Sequence, residues 1–225
     1  MGAAAAAFAV TTGLVRAIGE RLAPEAVFAM DCETPVVALT IDDGPDPETT
    51  AEILAVLERH GATATFFVIG ERALEHPGVL TDIVAQGSEL GNHTFTETHS
   101  NEVPPSELVH GIVKTHHVVS GFGPVRWLRP GGGRMTEVIE EVAEVRGYRI
   151  ALADVYPFDH LLRWPAAQRA YVLWAVEPGS IVALHDVGER GERTAQMLEG
   201  MLPALSDDGY RVVSLSEMAQ ADGCW

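Results

Sequence analysis

The fold of this chain is decided by the stretch VVALTIDDGP, residues 36–45, with Pro35 directly before it. A short apolar run that is rich in β-branched residues and bounded by prolines predicts a buried strand. Asp42 and Asp43 stand where that strand leaves the core. Because neighbouring side chains on a strand point to opposite faces, the two carboxylates can serve different tasks. Two carboxylates this close need a cation or hydrogen-bond donors around them, unless they only cap the helix predicted from residue 46 onward.

Strand and helix patterns alternate about seven times along the chain. Further strand-like runs follow at 62–69, 88–91, 125–128, 149–152, 180–184 and 210–214. Helical patterns lie at 46–61, around 80–87, and at 104–119, 135–146, 165–176 and 194–205. Alternating elements with short connections are typical of a parallel α/β sheet, either open or closed into a barrel. We therefore expect a single α/β domain.

Ionisable residues follow the predicted strands at five places. They are the pair Asp42 and Asp43, then His93, Arg129, Asp159 and His185. In parallel α/β folds the carboxyl ends of the strands share one face, and ligands bind there. The sequence therefore predicts that these side chains form one site.

Several of these residues have a chemical and a structural interpretation. Asp43 and His93 with a third ligand would suit a divalent cation of the zinc class, although His93 could equally be a hydrogen-bonded structural residue. Arg129 precedes Pro130 and three glycines, which either bring the backbone close to a ligand or form a flexible turn. That glycine run lacks the Lys-Ser/Thr of a phosphate-binding loop. His185 either transfers protons near neutral pH or caps a helix.

The composition limits the classes of function. With 225 residues, 47% of them hydrophobic, the chain can bury a sizeable core and is not a disordered protein. Its formal charge of −17 argues against nucleic acid and anionic membrane surfaces as partners. The same charge would not repel a neutral or cationic substrate such as an amino sugar, and it also favours solubility.

The two ends of the chain leave several questions open. Residues 1–10 are Ala-rich and apolar, but they lack a basic n-region and are too short for a transmembrane span. We expect a helix through about Leu22 instead of a clear signal peptide, which slightly favours a cytoplasmic over a secreted location. Cys32 and Cys224 either pair or stay free. The sequence does not decide the oligomeric state.

Five short motifs occur in a fixed order. They are TIDDGP at 40–45, GNHT at 91–94, RPG at 129–131, DVYPFD at 154–159 and IVALHD at 181–186. Their order resembles that of the polysaccharide deacetylase family, the NodB-homology domain of family 4 carbohydrate esterases. The resemblance covers about residues 35–218. It implies a deacetylase-like catalytic domain over 35–225, and we expect residues 1–34 to form a helical N-terminal extension.

This resemblance implies a fold, a reaction and a metal. The fold would be a distorted (β/α) barrel with about seven parallel strands, and the reaction would be hydrolysis of an N-acetyl group on a carbohydrate. Asp42 would be the base that activates water, and Arg129 would hold and tune it. Asp43 and His93 would bind a divalent metal, with zinc expected and cobalt, nickel or manganese as alternatives.

The resemblance also implies roles on the substrate side. His185 would protonate the leaving amine, and Asp159 instead of Asp154 falls where the family has its acid-tuning carboxylate. The backbone N–H near Gly132 would bind the oxyanion, and Leu184 would line the pocket for the acetyl methyl group.

The second motif departs from the family pattern at the third metal ligand. The family has a second histidine four residues after the first, whereas this chain has Glu97 there and His99 two residues later. Helical spacing favours Glu97 as the ligand, His99 is the alternative, and a weak metal site is the third reading. Gly131 and Gly132 replace an apolar and an aromatic residue, and His160 stands at a usual tryptophan, which loosens the substrate side.

Three functions remain open from the sequence. The first is a metal-dependent deacetylase acting on an N-acetylated carbohydrate such as a polysaccharide or chitooligosaccharide. The second is an amidase of the same fold acting on a small non-sugar amide or cyclic imide, which the low aromatic content of 7% favours because glycan grooves stack sugars on aromatic rings. The third is a non-catalytic carbohydrate-binding protein with a degenerate site.

Overall fold

The stretch at residues 36–42 forms a fully buried strand of the sheet in the computed structural model, which describes residues 12–159 and 161–224. Within those ranges the strands are β1 (Ala26–Val27), β2 (Val36–Asp42), β3 (Thr65–Val68), β4 (Glu89–Asn92), β5 (Trp127–Leu128), β6 (Arg149–Ala151), β7 (Ile181–His185) and β8 (Arg211–Val213). The α-helices are α1 (Thr12–Leu22), α2 (Thr49–Arg59), α3 (Gly70–Glu75), α4 (Pro77–Ala85), α5 (Pro105–Val119), α6 (Glu137–Arg146), α7 (Pro165–Ala175), α8 (Gly188–Asp207) and α9 (Leu215–Met218).

The strands form one curled parallel sheet. Along its main path the order is β1-β6-β5-β4-β3-β2-β7, and β8 pairs with the first residues of β2. Beyond the end of β6, Val155 bridges Val182 of β7, and Ala29 bridges Ser180, so the two ends of the path approach each other. The structure confirms the expected α/β fold, a distorted barrel with seven parallel strands on its path.

Strand β2 is buried on both faces. Val37, Leu39 and Ile41 pack into the cluster that includes residues of α2 and α8, whereas Val36 and Ala38 pack into a second cluster on the other face of the sheet. A parallel strand covered on both faces reads as a continuous apolar run. The charged residues of this stretch therefore stand at its carboxyl end, where Asp42 and Asp43 lie, and the buried Thr40 is hydrogen-bonded to the Val182 carbonyl.

Helix α8 begins earlier than the sequence predicts. The apolar pattern predicts a helix from residue 194, but α8 begins at Gly188. The intervening segment GERGER carries no apolar stripe, and Gly191 provides the contact instead by lying directly against Thr49. The two-residue strand β1 and the short helices α3 and α9 are also absent from the prediction, because they are too short to show a hydrophobic period.

The segment before residue 35 packs on the barrel. Helix α1 ends at Leu22 as predicted, and the predicted helix over residues 1–11 lies outside the described residues. Strand β1 pairs with β6, and Phe28 is buried in the same core cluster as Leu152. The domain boundary at residue 34 stays a prediction.

A disulfide joins Cys32 to Cys224 and ties this segment to the other end of the chain. Structural disulfides persist in oxidising compartments and are rare in cytosolic proteins. The pairing therefore favours an extracytoplasmic location over the cytoplasmic one that the sequence slightly favours. In the described ranges, no helix has both the length and the apolar character needed to cross a membrane.

Candidate active site

The strand register brings the candidate residues to one edge of the sheet. Asp42 at the end of β2 pairs with His185 at the end of β7, and Asn92 of β4 pairs with Leu128 of β5. A cleft of about 960 Å³ opens at this edge. The described residues that line it include Asp42, Asp43, His93, Glu97, His99, Arg129, Gly131, Gly132, Gly133, Tyr156, His185 and Arg190.

Arg129 fixes the carboxylate of Asp42. Both side chains are buried, and Nη1 of Arg129 donates to Asp42 Oδ1 at 2.6 Å and to Thr40 Oγ1 at 2.7 Å. The other guanidinium nitrogens donate to the backbone oxygens of Ala151 and Leu152 at 3.0 and 2.9 Å. The guanidinium is thus held by four acceptors, and it balances the charge of Asp42 inside the protein.

Asp43 and His93 form a second buried pair. Asp43 has a positive φ of 72°, a conformation that aspartate tolerates better than most residues, and its Oδ1 lies 3.5 Å from His93 Nε2. His93 Nδ1 donates to the carbonyl oxygen of Arg129 at 2.8 Å, so Nε2 is the atom that faces Asp43. Burial alone would raise the pKa of Asp43, but His93, with the charges of His185 and Arg190, lowers that pKa well below its ordinary value.

His185 is paired with Asp159. Its Nδ1 donates to Asp159 Oδ2 at 2.6 Å. Burial alone would lower the pKa of His185, but the hydrogen bond and charge of Asp159, followed by the charges of Asp42 and Asp43, raise it. Asp154 lies elsewhere, since it accepts from Ser180 Oγ and from the N–H of Ile181. An imidazole oriented through Nδ1 in this way can present Nε2 as a proton donor.

Glu97 lies beside two arginines. Its Oε2 accepts from Arg72 Nη2 at 2.6 Å, and its Oε1 accepts from Arg190 Nη2 at 3.1 Å. The same Nη2 of Arg190 lies 3.1 Å from Asp43 Oδ2. One guanidinium therefore bridges the predicted metal ligands Asp43 and Glu97, and Arg72 also donates to the backbone oxygen of Asp43.

His99 packs on the glycine turn. Its ring lies against Gly132, where an added Cβ would stand 2.4 Å from a ring carbon, and its Nδ1 is 3.6 Å from Glu102 Oε1. Gly132 also has a positive φ of 62°, a backbone conformation that favours glycine. The N–H of Gly133 donates to Pro130 and is not available to a ligand. The structure does not bring His99 to the Asp43–His93 pair.

Leu184 lies away from the cleft. Its side chain is 1% exposed and packs with Ile41 and Val182 in the core cluster between sheet and helices. Because Leu184 is followed by the half-buried His185 at the end of β7, the strand alternation turns the two side chains to opposite faces. His160, the other substrate-side position, lies outside the described residues.

The residues at the cleft fit only part of a metal site. The 3.5 Å between Asp43 Oδ1 and His93 Nε2 is close to the roughly 3.4 Å between two ligands of a tetrahedral zinc. Glu97 does not fit as the third metal ligand, because its carboxylate is paired with Arg72 and Arg190. The positive charge of Arg190 also lies beside Asp43. Within the described ranges, no three His, Cys, Asp or Glu side chains form a metal-binding group. The arrangement therefore does not fit a complete metal site.

The structure adds two residues that the sequence did not single out. Arg190 reaches the cleft from the first turn of α8, and Tyr156 lines the cleft from within the fourth motif. The sequence signal for Arg190 is a basic residue five positions after His185, at the carboxyl edge of the sheet. Such a residue could have been recognised as a charge facing Asp42 and Asp43.

Comparisons with known proteins identify a family and several relatives. The chain matches the polysaccharide deacetylase family over residues 30–151. It is 31% identical over 186 residues to a peptidoglycan-N-acetylglucosamine deacetylase of Bacillus cereus, with 81% of this chain and 87% of that protein covered.

Two solved structures are similar in fold to this chain. The Bc1960 peptidoglycan N-acetylglucosamine deacetylase, in complex with 4-naphthalen-1-yl-N-oxidanyl-benzamide, matches with a TM-score of 0.83 and 28% identity over 91% of this chain and 97% of that one. A mutant of BA3943, a pseudoenzyme of the CE4 family from Bacillus anthracis, has restored enzymatic activity. It matches with a TM-score of 0.78 and 26% identity over 86% of this chain and 70% of that one.

Proposed function

This chain belongs to the polysaccharide deacetylase family, and we propose that it hydrolyses the N-acetyl group of an amino sugar in a carbohydrate. The observation that carries the proposal is the pairing of two oriented groups on neighbouring strands. Asp42 is held by Arg129, and His185, directly opposite in the register, is held by Asp159. The two pairs thus place an oriented carboxylate and an oriented imidazole side by side at the edge of the sheet.

Asp42 is the general base of this proposal. Arg129 occupies Oδ1, so the second oxygen of the carboxylate takes a proton from water while the water oxygen attacks the acetyl carbonyl. The carbonyl electron pair moves to its oxygen, which becomes an oxyanion. The backbone N–H near Gly132 is our candidate donor to that oxyanion, since the turn brings backbone to the cleft.

His185 is the general acid. Its Nδ1 is bound to Asp159, so Nε2 delivers a proton to the amide nitrogen as the carbon–nitrogen bond breaks. The products are acetate and a free amine on the sugar. The raised pKa of His185 keeps the imidazole protonated closer to neutral pH, which suits an acid.

Members of this family are generally metal-dependent. The zinc that the sequence predicts is not part of this proposal, because the third ligand position is taken by ion pairs with arginines. Asp43 and His93 are the residues that would hold a cation if the site were opened.

A second candidate function is carbohydrate binding without hydrolysis. It is favoured by the two arginine ion pairs of Glu97, which close the predicted metal site. We also propose an extracytoplasmic location, supported by the Cys32–Cys224 disulfide and by the cell-wall substrate in the name of the Bacillus cereus relative.

One assay separates these functions. Purified protein is incubated with N-acetylated chitooligosaccharides, with peptidoglycan fragments and with a small N-acetyl amide that carries no sugar. Acetate released from a sugar substrate supports the deacetylase. Release from the small amide alone supports the amidase, and binding by calorimetry without acetate release supports the non-catalytic function.

A further inference from the structure

We propose that the guanidinium of Arg190 is the resident cation between Asp43 and Glu97 and that it keeps a divalent metal out of this site. The inference concerns the same cleft as the proposed function, but it is tested by metal binding without turnover, so either can fail alone. Nη2 of Arg190 lies 3.1 Å from Asp43 Oδ2 and 3.1 Å from Glu97 Oε1.

The position of Arg190 in its helix requires an explanation. Helix α8 begins at Gly188, so Arg190 lies in the first turn, where the positive end of the helix dipole disfavours a cation. An arginine at such a position is stabilised by anions that it can reach. Asp43 and Glu97 are those anions, and the Arg190 side chain is only 28% exposed.

The charges of the cleft are already balanced. Asp42 is paired with Arg129, Asp43 with Arg190, and Glu97 with Arg72 as well as Arg190. A divalent cation binds where carboxylates carry uncompensated charge and free oxygen atoms. Here it would have to displace or approach a guanidinium, and like charges at short range in a partly buried site repel strongly.

The other two predicted metal ligands, Asp43 and His93, are placed as a metal site would need them. Asp43 Oδ1 and His93 Nε2 face each other at a separation that suits two metal ligands, and His93 is oriented by its hydrogen bond to the Arg129 carbonyl. Replacing Arg190 with a neutral side chain therefore releases Asp43 Oδ2 and one oxygen of Glu97. The neutral variant should bind metal better than the wild type.

The test measures Co²⁺ binding by calorimetry and by visible absorption on tag-free protein. The variants are Arg190→Gln and Arg190→Met, two neutral replacements made in parallel so that a folding defect in one does not decide the result. Arg193→Gln is the matched control, because it removes the same charge one turn later on α8, where Arg193 pairs with Glu189. Circular dichroism establishes that each variant is folded.

We expect weak Co²⁺ binding by the wild type and by Arg193→Gln, and at least tenfold tighter binding of one equivalent by the two Arg190 variants. Adding Asp43→Asn to Arg190→Gln should remove the gain. The inference is overturned if the wild type binds Co²⁺ as tightly as the Arg190 variants, if Arg193→Gln gains as much, or if the gain survives the loss of Asp43.

Discussion

Nη1 of Arg129 lies 2.6 Å from Oδ1 of Asp42, and both side chains are buried beneath the cleft. The pair joins β2 to the loop after β5, and the same guanidinium donates to backbone oxygens at 151 and 152. One residue thus supports both the fold and the carboxylate that we propose as the base.

Arg129→Met should lower the free energy of unfolding by about 3–5 kcal/mol, because it leaves Asp42 buried without its partner. Urea unfolding of the variant and wild type measures the difference. Arg134→Met is the control, since Arg134 is exposed on the same loop and its loss should change stability by less than about 0.5 kcal/mol. A loss at position 129 no larger than that at 134 would refute the supporting role.

Asp159→Asn should move the alkaline limit of activity to lower pH. Asp159 raises the pKa of His185, and the acid works only while it is protonated, so activity falls as pH rises through that pKa. Removing the carboxylate of Asp159 lowers the pKa of His185, so activity falls at a lower pH on the alkaline side of the profile. The measurement is kcat/KM for acetate release against pH.

Asp154→Asn is the matched control for that experiment. Asp154 lies in the same motif but is bound to Ser180 and Ile181, so its substitution should leave the alkaline limit in place. If both variants shift the limit equally, or neither does, the assignment of Asp159 to His185 is wrong.

Asp154→Asn should also change the pH dependence of stability. Burial raises the pKa of Asp154 to about 6, above its ordinary value of 3.8. The carboxyl group of Asp154 holds its proton more tightly in the folded than in the unfolded protein. Its contribution to stability is therefore fully present below about pH 4 and is lost as pH rises through 6. Two pKa units correspond to about 3 kcal/mol, so the stability of the variant relative to wild type should rise by up to that amount between pH 4 and 7. If the stability of the variant relative to the wild type does not change between pH 4 and 7, the raised pKa of Asp154 is wrong.

Removing the disulfide should destabilise the protein. Cys32 and Cys224 are 192 residues apart, and a cross-link of that span restricts the unfolded chain by about 2–5 kcal/mol. The Cys32→Ser, Cys224→Ser double variant should unfold at a lower temperature than the wild type. A reductant should lower the wild-type midpoint and leave the variant unchanged; insensitivity of the wild type would show that the bond does not form.

Much of the fold could be predicted from residues 36–45 and the alternation that follows. The continuous apolar run predicted a buried strand, and the ionisable residues after the strands predicted one edge for the site. These predictions succeed because a continuous apolar run marks a buried strand, and because alternating strands and helices form a parallel sheet whose strands end at one edge. The start of α8 and the two-residue strand β1 could not be found this way, because tertiary contacts such as Gly191 on Thr49 fix them.

The third metal ligand marks the limit of prediction at the site. Spacing favours Glu97, but spacing says nothing of Arg72 and Arg190, which approach Glu97 from α3 and α8. The prediction that Leu184 lines the acetyl pocket required its side chain to point toward the cleft, whereas it packs with Ile41 and Val182 in the core. The role of Leu184 in the acetyl pocket stays a prediction, as do the roles of Asp42, Asp43, His93, Arg129, Gly132, Asp159 and His185.

The most direct test of the proposed function is acetate release by the wild type and by Asp42→Asn on the same N-acetylated chitooligosaccharide. Asparagine keeps the size of the side chain and an oxygen for Arg129 but cannot accept the proton of water. We predict turnover by the wild type and a loss of about 100-fold or more in the variant, in line with general base catalysis. No acetate from the wild type on any sugar substrate, or near-normal turnover by Asp42→Asn, would contradict the proposal.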